Sequence, residues 1–267
     1  MTQLLDKIPM EGVKNIIVVA SGKGGVGKST VAANLAIALA RNGLKIALVD
    51  ADIYGPSIPK MFGIEDIRPE VSALGDKEMI FPVEKFGVKI MSIGFFVAPN
   101  QSLIWRGPMA ANALTQLFEN TQWGEIDYMI IDFPPGTGDI QLTTVQKLNL
   151  AGAIIVTTPQ EIALNDVRKA ASMFVNKDIN VPILGIVENM SWFTPSKHPD
   201  EKYFIFGQGG GEKMAAEYNS QLIGQIPLVM EVGEAAEHGK SVFSLGNKMV
   251  IECFEKIAVG LISATIF

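Results

Sequence analysis

Short runs of apolar residues alternate with amphipathic segments along most of the chain. The first run, 16–19, leads into a glycine-rich stretch, after which Val31, Leu35 and Leu39 recur at helical spacing. Later apolar runs have the length and composition of strands that are buried on both faces. This alternation predicts an α/β fold, a doubly wound and mostly parallel sheet with helices on both faces.

The same pattern predicts where individual elements lie. The first helix is expected to stop at Asn42-Gly43, a common C-terminal signal. An apolar segment interrupted by Gly75-Asp76, Pro82 and Gly87 predicts a hairpin that leads back into the sheet. Further strands are predicted at 45–49, 128–131, 153–156, 182–187 and 222–226, helices at 109–119 and 161–175, the hairpin at 71–97, and a packed terminal helix at 257–267.

The glycine-rich stretch has the pattern of a phosphate-binding loop. Gly22, Gly27, Lys28 and Ser29 match G-x-x-x-x-G-K-[ST], in which backbone N–H groups surround phosphates, the lysine reaches the β- and γ-phosphates, and the hydroxyl binds Mg²⁺. Residues 22–27 also read G-x-G-x-x-G, but that dinucleotide fingerprint does not require the Lys-Ser pair that follows here. The predicted nucleotide-binding residues of the loop are Gly22, Lys23, Gly24, Gly25, Val26, Gly27, Lys28, Ser29 and Thr30.

Carboxylates follow two of the predicted strands. Asp50 and Asp52 come after 45–49, and Asp132 comes after 128–131, where Walker B acids stand. Ligands of open α/β sheets bind at the carboxyl ends of strands, so carboxylates near a phosphate loop indicate Mg²⁺ binding and activation of water. The alternative for the first pair is an acidic turn closed by Gly55-Pro56.

Other strand ends carry further candidate residues. The glycine-rich loop after Asp132 contains Gly136, whose N–H is expected to be free to reach a γ-phosphate and so to distinguish ATP from ADP. The amide of Asn189 can both donate to and accept from an adenine edge. Pro227, which closes the strand at 222–226, is a further predicted nucleotide contact. Arg106 is a candidate for a phosphate or partner contact, although composition favours a capped surface turn.

Length and composition limit the possible classes. With 267 residues, of which 48% are hydrophobic, and no linker or repeat, the chain is expected to form a single domain over 1–267, in which 1–13 is an N-terminal extension. The net charge of −6 and the scattered lysines form no basic stripe, so nucleic acid is not an expected partner.

The two ends of the chain and its single cysteine limit the cellular context. Residues 1–13 lack the pattern of a signal peptide, and 257–267 is too short to span a bilayer, so we expect a cytoplasmic protein without stable membrane insertion. The single cysteine, Cys253, cannot form a disulfide within one chain and is expected to be a small buried hydrophobe.

Several motifs together resemble those of the Mrp/ApbC family, a branch of the MinD/ParA group of P-loop ATPases. The resemblance extends from about Val13 to Ser241. The motifs are G-K-G-G-V-G-K-S-T from Gly22, D-A-D-I-Y-G-P-S-I-P from Asp50, W-R-G-P-M from Trp105, D-F-P-P-G-T-G-D from Asp132, T-T-P-Q-E-I-A-L-N-D-V-R-K from Thr157 and V-E-N-M-S from Val187.

The resemblance implies a slow, Mg²⁺-dependent ATPase that works as a face-to-face homodimer. Lys23 would make the loop a deviant Walker motif and contact the nucleotide of the opposite subunit, as an arginine finger does. The other implied roles are phosphate and Mg²⁺ contacts for Lys28 and Ser29, the α-phosphate for Thr30, orientation of the attacking water for Asp52, the Walker B acid for Asp132, adenine recognition for Asn189, and an outer partner of Mg²⁺ for Asp50.

Members of this family are implicated in carrying or assembling iron-sulfur clusters for apoproteins. A C-x-x-C pair usually follows V-E-N-M-S, but here residues 191–198 read S-W-F-T-P-S-K-H. A cubane cluster normally takes four cysteine ligands, and His198 and His238 are scattered, so we do not expect this chain to hold a cysteine-ligated cluster itself. Because only about a dozen residues precede the first predicted strand, we also expect this chain to lack the N-terminal accessory domain found on many relatives.

The resulting hypothesis is a homodimeric ATPase that acts in iron-sulfur cluster assembly or transfer to apoproteins. The alternative is a MinD- or ParA-like positioning or scaffold ATPase without an iron-sulfur role. That alternative shares the phosphate loop, but the chain lacks the basic amphipathic tail or basic patch expected for membrane or DNA attachment.

Overall fold

The computed structural model describes residues 7–74, 77–96, 107–195, 197–198 and 200–265. Its strands are β1 (Val13–Ser21), β2 (Ile46–Asp50), β3 (Val71–Leu74), β4 (Lys77–Ile80), β5 (Val83–Lys85), β6 (Val88–Ser92), β7 (Ile126–Asp132), β8 (Gly152–Thr157), β9 (Ile183–Phe193) and β10 (Leu222–Leu228). Its α-helices are α1 (Lys28–Arg41), α2 (Ile58–Phe62), α3 (Gly107–Asn120), α4 (Asp139–Lys147), α5 (Glu161–Phe174), α6 (Gly210–Glu217), α7 (Met230–Glu237), α8 (Val242–Leu245) and α9 (Lys248–Thr265).

Eight of these strands form one sheet in the order β10-β9-β8-β1-β7-β2-β6-β5. All neighbouring pairs are parallel except β5 with β6. Because β1 lies between β7 and β8, the chain leaves it toward one edge of the sheet and later crosses to the other. This reversal opens a crevice beyond the carboxyl end of β1, where ligands of such sheets bind.

Apolar cores cover both faces of the sheet, because successive residues of its buried strands point to opposite sides. In β1, Ile17 and Val19 pack in the core that includes α1 and α9, whereas Ile16 and Val18 pack in the core that includes α3, α4 and α5. The predicted doubly wound, mostly parallel α/β sheet with helices on both faces is therefore confirmed.

Two strands on one side of the sheet extend further than predicted. The predicted strand 182–187 is β9, which continues to Phe193, and β10 continues through Pro227 to Leu228. Asn189 therefore lies within a strand, paired with Ile226, and does not follow the strand end. Pro227 fits inside β10 because β10 is an edge strand and the register shifts between Ile226 and Leu228.

The region predicted as one hairpin over 71–97 forms two antiparallel pairs. The first pair, β3 with β4, stands apart from the main sheet, and the second, β5 with β6, completes its edge. Val97 lies outside the described residues. The difference follows from β6, whose apolar residues pair in parallel with β2 and are buried in the main sheet.

The terminal helix α9 packs against the core along Val250, Phe254, Ile257 and Leu261. Its spacing of buried residues is that of an amphipathic helix on a globular domain. None of the helices in the described part of the chain is both long and apolar enough to cross a membrane.

Candidate functional site

The phosphate loop occupies the crevice at the carboxyl end of β1. Gly25 and Gly27 have φ of +81° and +82°, in the left-handed region that favours glycine. Gly27 is the N-cap of α1, and no side chain caps the helix there. The first backbone N–H groups of α1 are therefore available to an anion, as expected at a helix that binds phosphate.

Close approaches by other elements hold the loop in place. A Cβ atom at Gly22 would overlap the backbone of Asp166 and Val167 in α5. A Cβ atom at Gly27 would overlap the side-chain amide of Asn189, whose Nδ2 donates to the carbonyl oxygen of Val26 over 2.8 Å. The loop thus contacts α5 on one side and β9 on the other, and only glycine fits at these two positions.

A buried ion pair joins the loop to the end of β7. Lys28 Nζ lies 2.5 Å from Asp132 Oδ1, and the two side chains are 7% and 0% exposed. Lys28 also donates to Ser29 Oγ over 3.2 Å. Burial raises the pKa of Asp132, and the adjacent Lys28 charge opposes that rise. The predicted loop lysine, loop hydroxyl and Walker B carboxylate are therefore brought together.

Asp50 lies beside this pair at the end of β2 and is fully buried. Its Oδ1 accepts from the backbone N–H of Asp52 over 3.2 Å, and its Oδ2 accepts from the N–H of Ile58 and the hydroxyl of Ser92, each over 3.1 Å. Burial and the negative charge of Asp132 raise the pKa of Asp50 to about 7, against the opposing effect of the N–H donors. Ser92 was not predicted from the sequence, although it ends an apolar strand just as Asp50 does.

The site has the oxygen ligands that Mg²⁺ prefers. Within the described residues, no group of three or more His, Cys, Asp or Glu side chains is placed to hold a metal by itself. Mg²⁺ usually takes one or two carboxylates together with phosphate oxygens and waters. Asp132 Oδ2 is buried and has no hydrogen-bond partner among the described residues. Ser29 lies close enough to this carboxylate that its side chain acts to lower the pKa of Asp132. Asp132 and Ser29 therefore fit direct ligation, whereas the oxygens of Asp50 are already occupied by donors.

A cleft of about 600 Å³ opens beside these carboxylates. Asp52 and Tyr54, which follow β2, line this cleft. Pro135, in the loop after β7, and Gln141, at the start of α4, line it as well. The side-chain amide of Gln141 is buried and donates to the carbonyl oxygens of Pro134 and Pro135 over 3.2 and 3.0 Å. Gln141, which the sequence patterns did not indicate, thus ties the 134–141 loop to its own helix.

The structure places Gly136 next to the phosphate loop but with its N–H engaged. That N–H donates to the carbonyl oxygen of Ser21 over 3.2 Å, and the residue has φ of +89°. A contact with a γ-phosphate would require this hydrogen bond to break, so the sensing role stays a prediction. Lys23 is half-buried at the start of the loop, where its carbonyl accepts from Ser21 Oγ over 3.0 Å.

Other candidates lie away from this centre or beyond the described residues. Arg106 is outside the described part of the chain. His198 lies on the surface with Nδ1 3.2 Å from Glu201 Oε1, and His238 ends α7. Cys253 lies on α9 and is half-buried, so it is less buried than predicted, and its partial burial raises the pKa of its thiol. Of these, the described candidates His198, His238 and Cys253 form no ion pair or side-chain hydrogen bond with the phosphate loop.

The segment that stands where the thiol pair was expected is rich in aromatic residues. Phe193 and Tyr203 exchange two backbone hydrogen bonds of 2.8 Å each and so form an antiparallel bridge. Lys202 Nζ lies 4.2 Å from the ring centroid of Trp192. The side chains of Tyr203, Phe204 and Ile205 are exposed. We call residues 192–205 the aromatic segment.

Sequence comparison finds relatives along nearly the whole chain. The model of the ParA family, which is described as NUBPL iron-transfer P-loop NTPase, matches residues 12–262. An iron-sulfur cluster carrier protein of Pseudomonas fragi is 48% identical over 252 residues, which cover 94% of this chain and 86% of that protein.

Solved structures include similar chains. The nucleotide-binding protein of Archaeoglobus fulgidus in complex with ADP is 37% identical, with a TM-score of 0.75 over 87% of this chain and 89% of that one. The cell division ATPase MinD of Pyrococcus furiosus shares the fold at 21% identity, with a TM-score of 0.66 over 93% of this chain and 98% of that one.

Proposed function

Because the chain belongs to the ParA/NUBPL family of iron-transfer P-loop NTPases, we propose that it is a Mg²⁺-dependent ATPase. We further propose that it acts in iron-sulfur cluster assembly or in cluster transfer to apoproteins in the cytoplasm. The observation that carries the ATPase proposal is the buried cluster of Lys28, Asp132 and Asp50 beside an uncapped helix N-terminus. The lysine and the helix N–H groups can donate hydrogen bonds to phosphate, and the carboxylates lie beside them at the same edge of the sheet.

Binding of a triphosphate would change the partners of Lys28. In the structure its ammonium group donates to Asp132 and Ser29, so the lysine would exchange a carboxylate oxygen for oxygens of the β- and γ-phosphates. Ser29 and Asp132 would then hold Mg²⁺, which when bound neutralises charge on the phosphates. Thr30 is the proposed contact of the α-phosphate, and Asn189 and Pro227 are the proposed contacts of adenine.

Hydrolysis needs a water placed in line with the γ-phosphate. Asp52 is half-exposed at the wall of the cleft, next to the buried carboxylates, and we assign it the orientation of that water. We propose that Lys23 of one subunit contacts the nucleotide bound to the other subunit. There it would neutralise the negative charge that develops in the transition state. Closure of a dimer around the nucleotide would bring Lys23 into place, and hydrolysis would reopen it.

The positions of exposed large apolar side chains support the proposed homodimer. Tyr54, Ile162 and Met230 are 66%, 72% and 76% exposed, and each follows the carboxyl end of a strand in the main sheet. They therefore lie at the same edge as the phosphate loop. Exposed apolar groups collected at one edge are typical of a protein interface, and this edge is the one that a face-to-face dimer would bury.

The iron-sulfur role is proposed without cysteine ligation of a cluster by this chain. The chain contains a single cysteine, Cys253, which is half-buried on α9, so a dimer would supply two thiols where a cubane cluster takes four. The cluster is therefore treated as cargo or substrate of a larger assembly. In this proposal the ATPase cycle drives the assembly or transfer step.

Calorimetry with Mg-ATP tests the central proposal directly. Purified, folded full-length protein should bind Mg-ATP and release phosphate slowly, and sedimentation should show a dimer when ATP is present. Absence of any heat of binding would overturn the ATPase assignment. A pellet with liposomes or DNA that depends on ATP would instead favour the positioning or scaffold ATPase.

Anaerobic reconstitution with iron and sulfide tests the cluster proposal. We expect no stable cubane absorbance, together with a gain in cluster acquisition by an apoprotein when this chain and ATP are added. A stoichiometric cubane signal would refute the absence of ligation. No effect on any apoprotein would argue against the iron-sulfur role.

A further inference from the structure

The V-E-N-M-S motif contains a buried carboxylate that the proposed mechanism does not use. Glu188 is 1% exposed and lies in β9, immediately before Asn189. No Lys, Arg or His of the described residues forms an ion pair with it. A buried charge without a cation is costly unless hydrogen bonds satisfy it. The arrangement of donors around Glu188 therefore calls for an explanation.

Three neutral donors from three parts of the chain converge on this carboxylate. Glu188 Oε1 accepts from Ser191 Oγ and from Gln225 Nε2, each over 2.9 Å, and Oε2 accepts from the backbone N–H of Gly211 over 2.7 Å. Gly211 lies in the first turn of α6, and a Cβ there would stand 2.9 Å from the Cβ of Glu188. The lack of a side chain at Gly211 thus lets the positive end of α6 approach the carboxylate.

These contacts surround an irregular part of β9. Met190 has φ of +55°, which is unusual for a residue other than glycine, and the pairing with β10 shifts between Asn189 and Phe193. The single O–H of Ser191 is shared between the side chain and the carbonyl oxygen of Glu188, which lie 2.9 and 2.8 Å from Oγ. The carboxylate therefore holds the two ends of a bulge, and such bulges often redirect a side chain.

The side chain redirected here is that of Asn189. Its amide bonds to the carbonyl oxygen of Val26 and closely approaches Gly27, and its strand partner Ile226 precedes Pro227. The bulge thus aligns the amide with the phosphate loop at the proposed adenine end of the site. We propose that Glu188 is a positioning residue whose hydrogen bonds hold Asn189 in the orientation that selects adenine over guanine. This inference rests on the proposed nucleotide site.

Replacement of the carboxylate by an apolar side chain of similar length tests the proposal. Glu188→Met removes all three hydrogen bonds, so the ratio of GTP to ATP dissociation constants should fall about tenfold, the size expected for a misplaced hydrogen-bonding amide. Affinity for Mg-tripolyphosphate, which has no base, should change by only about twofold, because the substitution removes no donor to phosphate and affects the loop only through the hydrogen bond from Asn189 to Val26. In turnover assays the KM for ATP should rise more than kcat falls.

Two further variants separate positioning from general stability. Glu188→Gln should restore most of the preference, because its amide oxygen can accept from Gly211 while its NH₂ group donates to Ser191 and to a flipped Gln225. Glu217→Gln is the matched control, since Glu217 pairs with Arg168 on the surface outside this network, and it should behave as the wild type.

The outcomes distinguish this inference from the proposed function. Suppose that wild type prefers ATP to GTP. If folded Glu188→Met keeps that preference, the inference is overturned and the ATPase proposal stands. The same conclusion follows if the variant loses affinity for tripolyphosphate by the same factor as for ATP. Wild type that binds ATP and GTP equally would overturn the inference alone, whereas wild type that binds no nucleotide would overturn both. Should Glu188→Met fail to fold, Gln225→Met and Ser191→Ala decide: an unchanged preference in both overturns the inference.

Discussion

The phosphate-binding end of the site and the aromatic segment stand at the same edge of the sheet, yet they are built in different ways. At the phosphate loop the charges are buried and paired, as in Lys28 with Asp132. In the aromatic segment, Tyr203 is half-exposed, and the ammonium group of Lys202 lies over the ring of Trp192 in a cation–π contact. Removing one partner of a buried pair leaves an uncompensated charge, whereas exposed pairs contribute little. Substitutions at the two places should therefore differ strongly in effect.

The largest effect is expected for Lys28→Ala. This substitution removes the ammonium group that would bind the phosphates and leaves Asp132 buried without its cation, so binding of Mg-ATP should fall below detection by calorimetry. Lys60→Ala is the control, because Lys60 forms a pair of similar length, 2.7 Å, with Glu237 on the surface. Binding retained by Lys28→Ala would show that the buried pair does not define the nucleotide site.

Lys23→Ala should leave ATP binding largely intact and reduce turnover by about a thousandfold, the lower end of the effect of a charge supplied from a partner subunit. In the proposed dimer, Lys23 would act on the nucleotide of the opposite subunit and would contribute little to holding the nucleotide of its own subunit. Steady-state phosphate release, measured with ATP saturating, checks the change. Equal turnover in wild type and Lys23→Ala would argue against a role across the dimer.

Asp52→Ala should also leave binding within a few-fold of wild type but lower turnover by about a hundredfold, which is typical of losing a group that orients or activates water. Asp139→Ala is a matched control, because Asp139 lines the same cleft without a proposed role in hydrolysis. A loss of turnover as large in Asp139→Ala would mean that the cleft acts through its overall charge and not through Asp52.

The buried carboxylates also predict how stability depends on pH without nucleotide. Burial and Asp132 raise the pKa of Asp50 to about 7, above its value in the unfolded chain, so the folded protein holds a proton that the unfolded chain has released. The free energy of unfolding should therefore fall as pH rises from about 4 to about 7. Asp50→Asn should flatten that slope by up to about 1.4 kcal/mol per pH unit, and urea unfolding at several pH values would measure it. Identical slopes in the two proteins would contradict the raised pKa.

The sequence predicted the phosphate end better than the rest of the site. The loop from Gly22 to Thr30, and the strand ends at Asp50 and Asp132, were recognisable because their chemistry follows from residue type at fixed spacing in a regular α/β pattern. The parallel sheet was recognisable for the same reason, since buried strands and amphipathic helices alternate.

Contacts between distant segments could not be read in this way. Ser92 donates a hydrogen bond to Asp50 from the neighbouring strand, and Glu188 accepts hydrogen bonds from Gly211 and Gln225. No local sequence pattern marks these hydrogen-bond partners. The bulge at Met190 has a positive φ without a glycine to signal it, so the extension of β9 to Phe193 was missed. These features depend on hydrogen bonds that exist only once the tertiary structure has formed.

The smallest effect is expected in the aromatic segment, for Lys202→Ala. The substitution removes an ammonium group 4.2 Å from the Trp192 ring centroid, so urea unfolding should show a loss of about 0.5 to 1 kcal/mol. Lys85→Ala is a matched control, since Lys85 lies farther, at 5.5 Å, from the ring of Phe86, and its effect should be smaller. Affinity for Mg-ATP should stay within about twofold in both, because no phosphate-site hydrogen bond changes. If Lys202→Ala instead weakened ATP binding tenfold, the aromatic segment would belong to the nucleotide site, and the contrast with the phosphate end would be one of exposure alone and not of role.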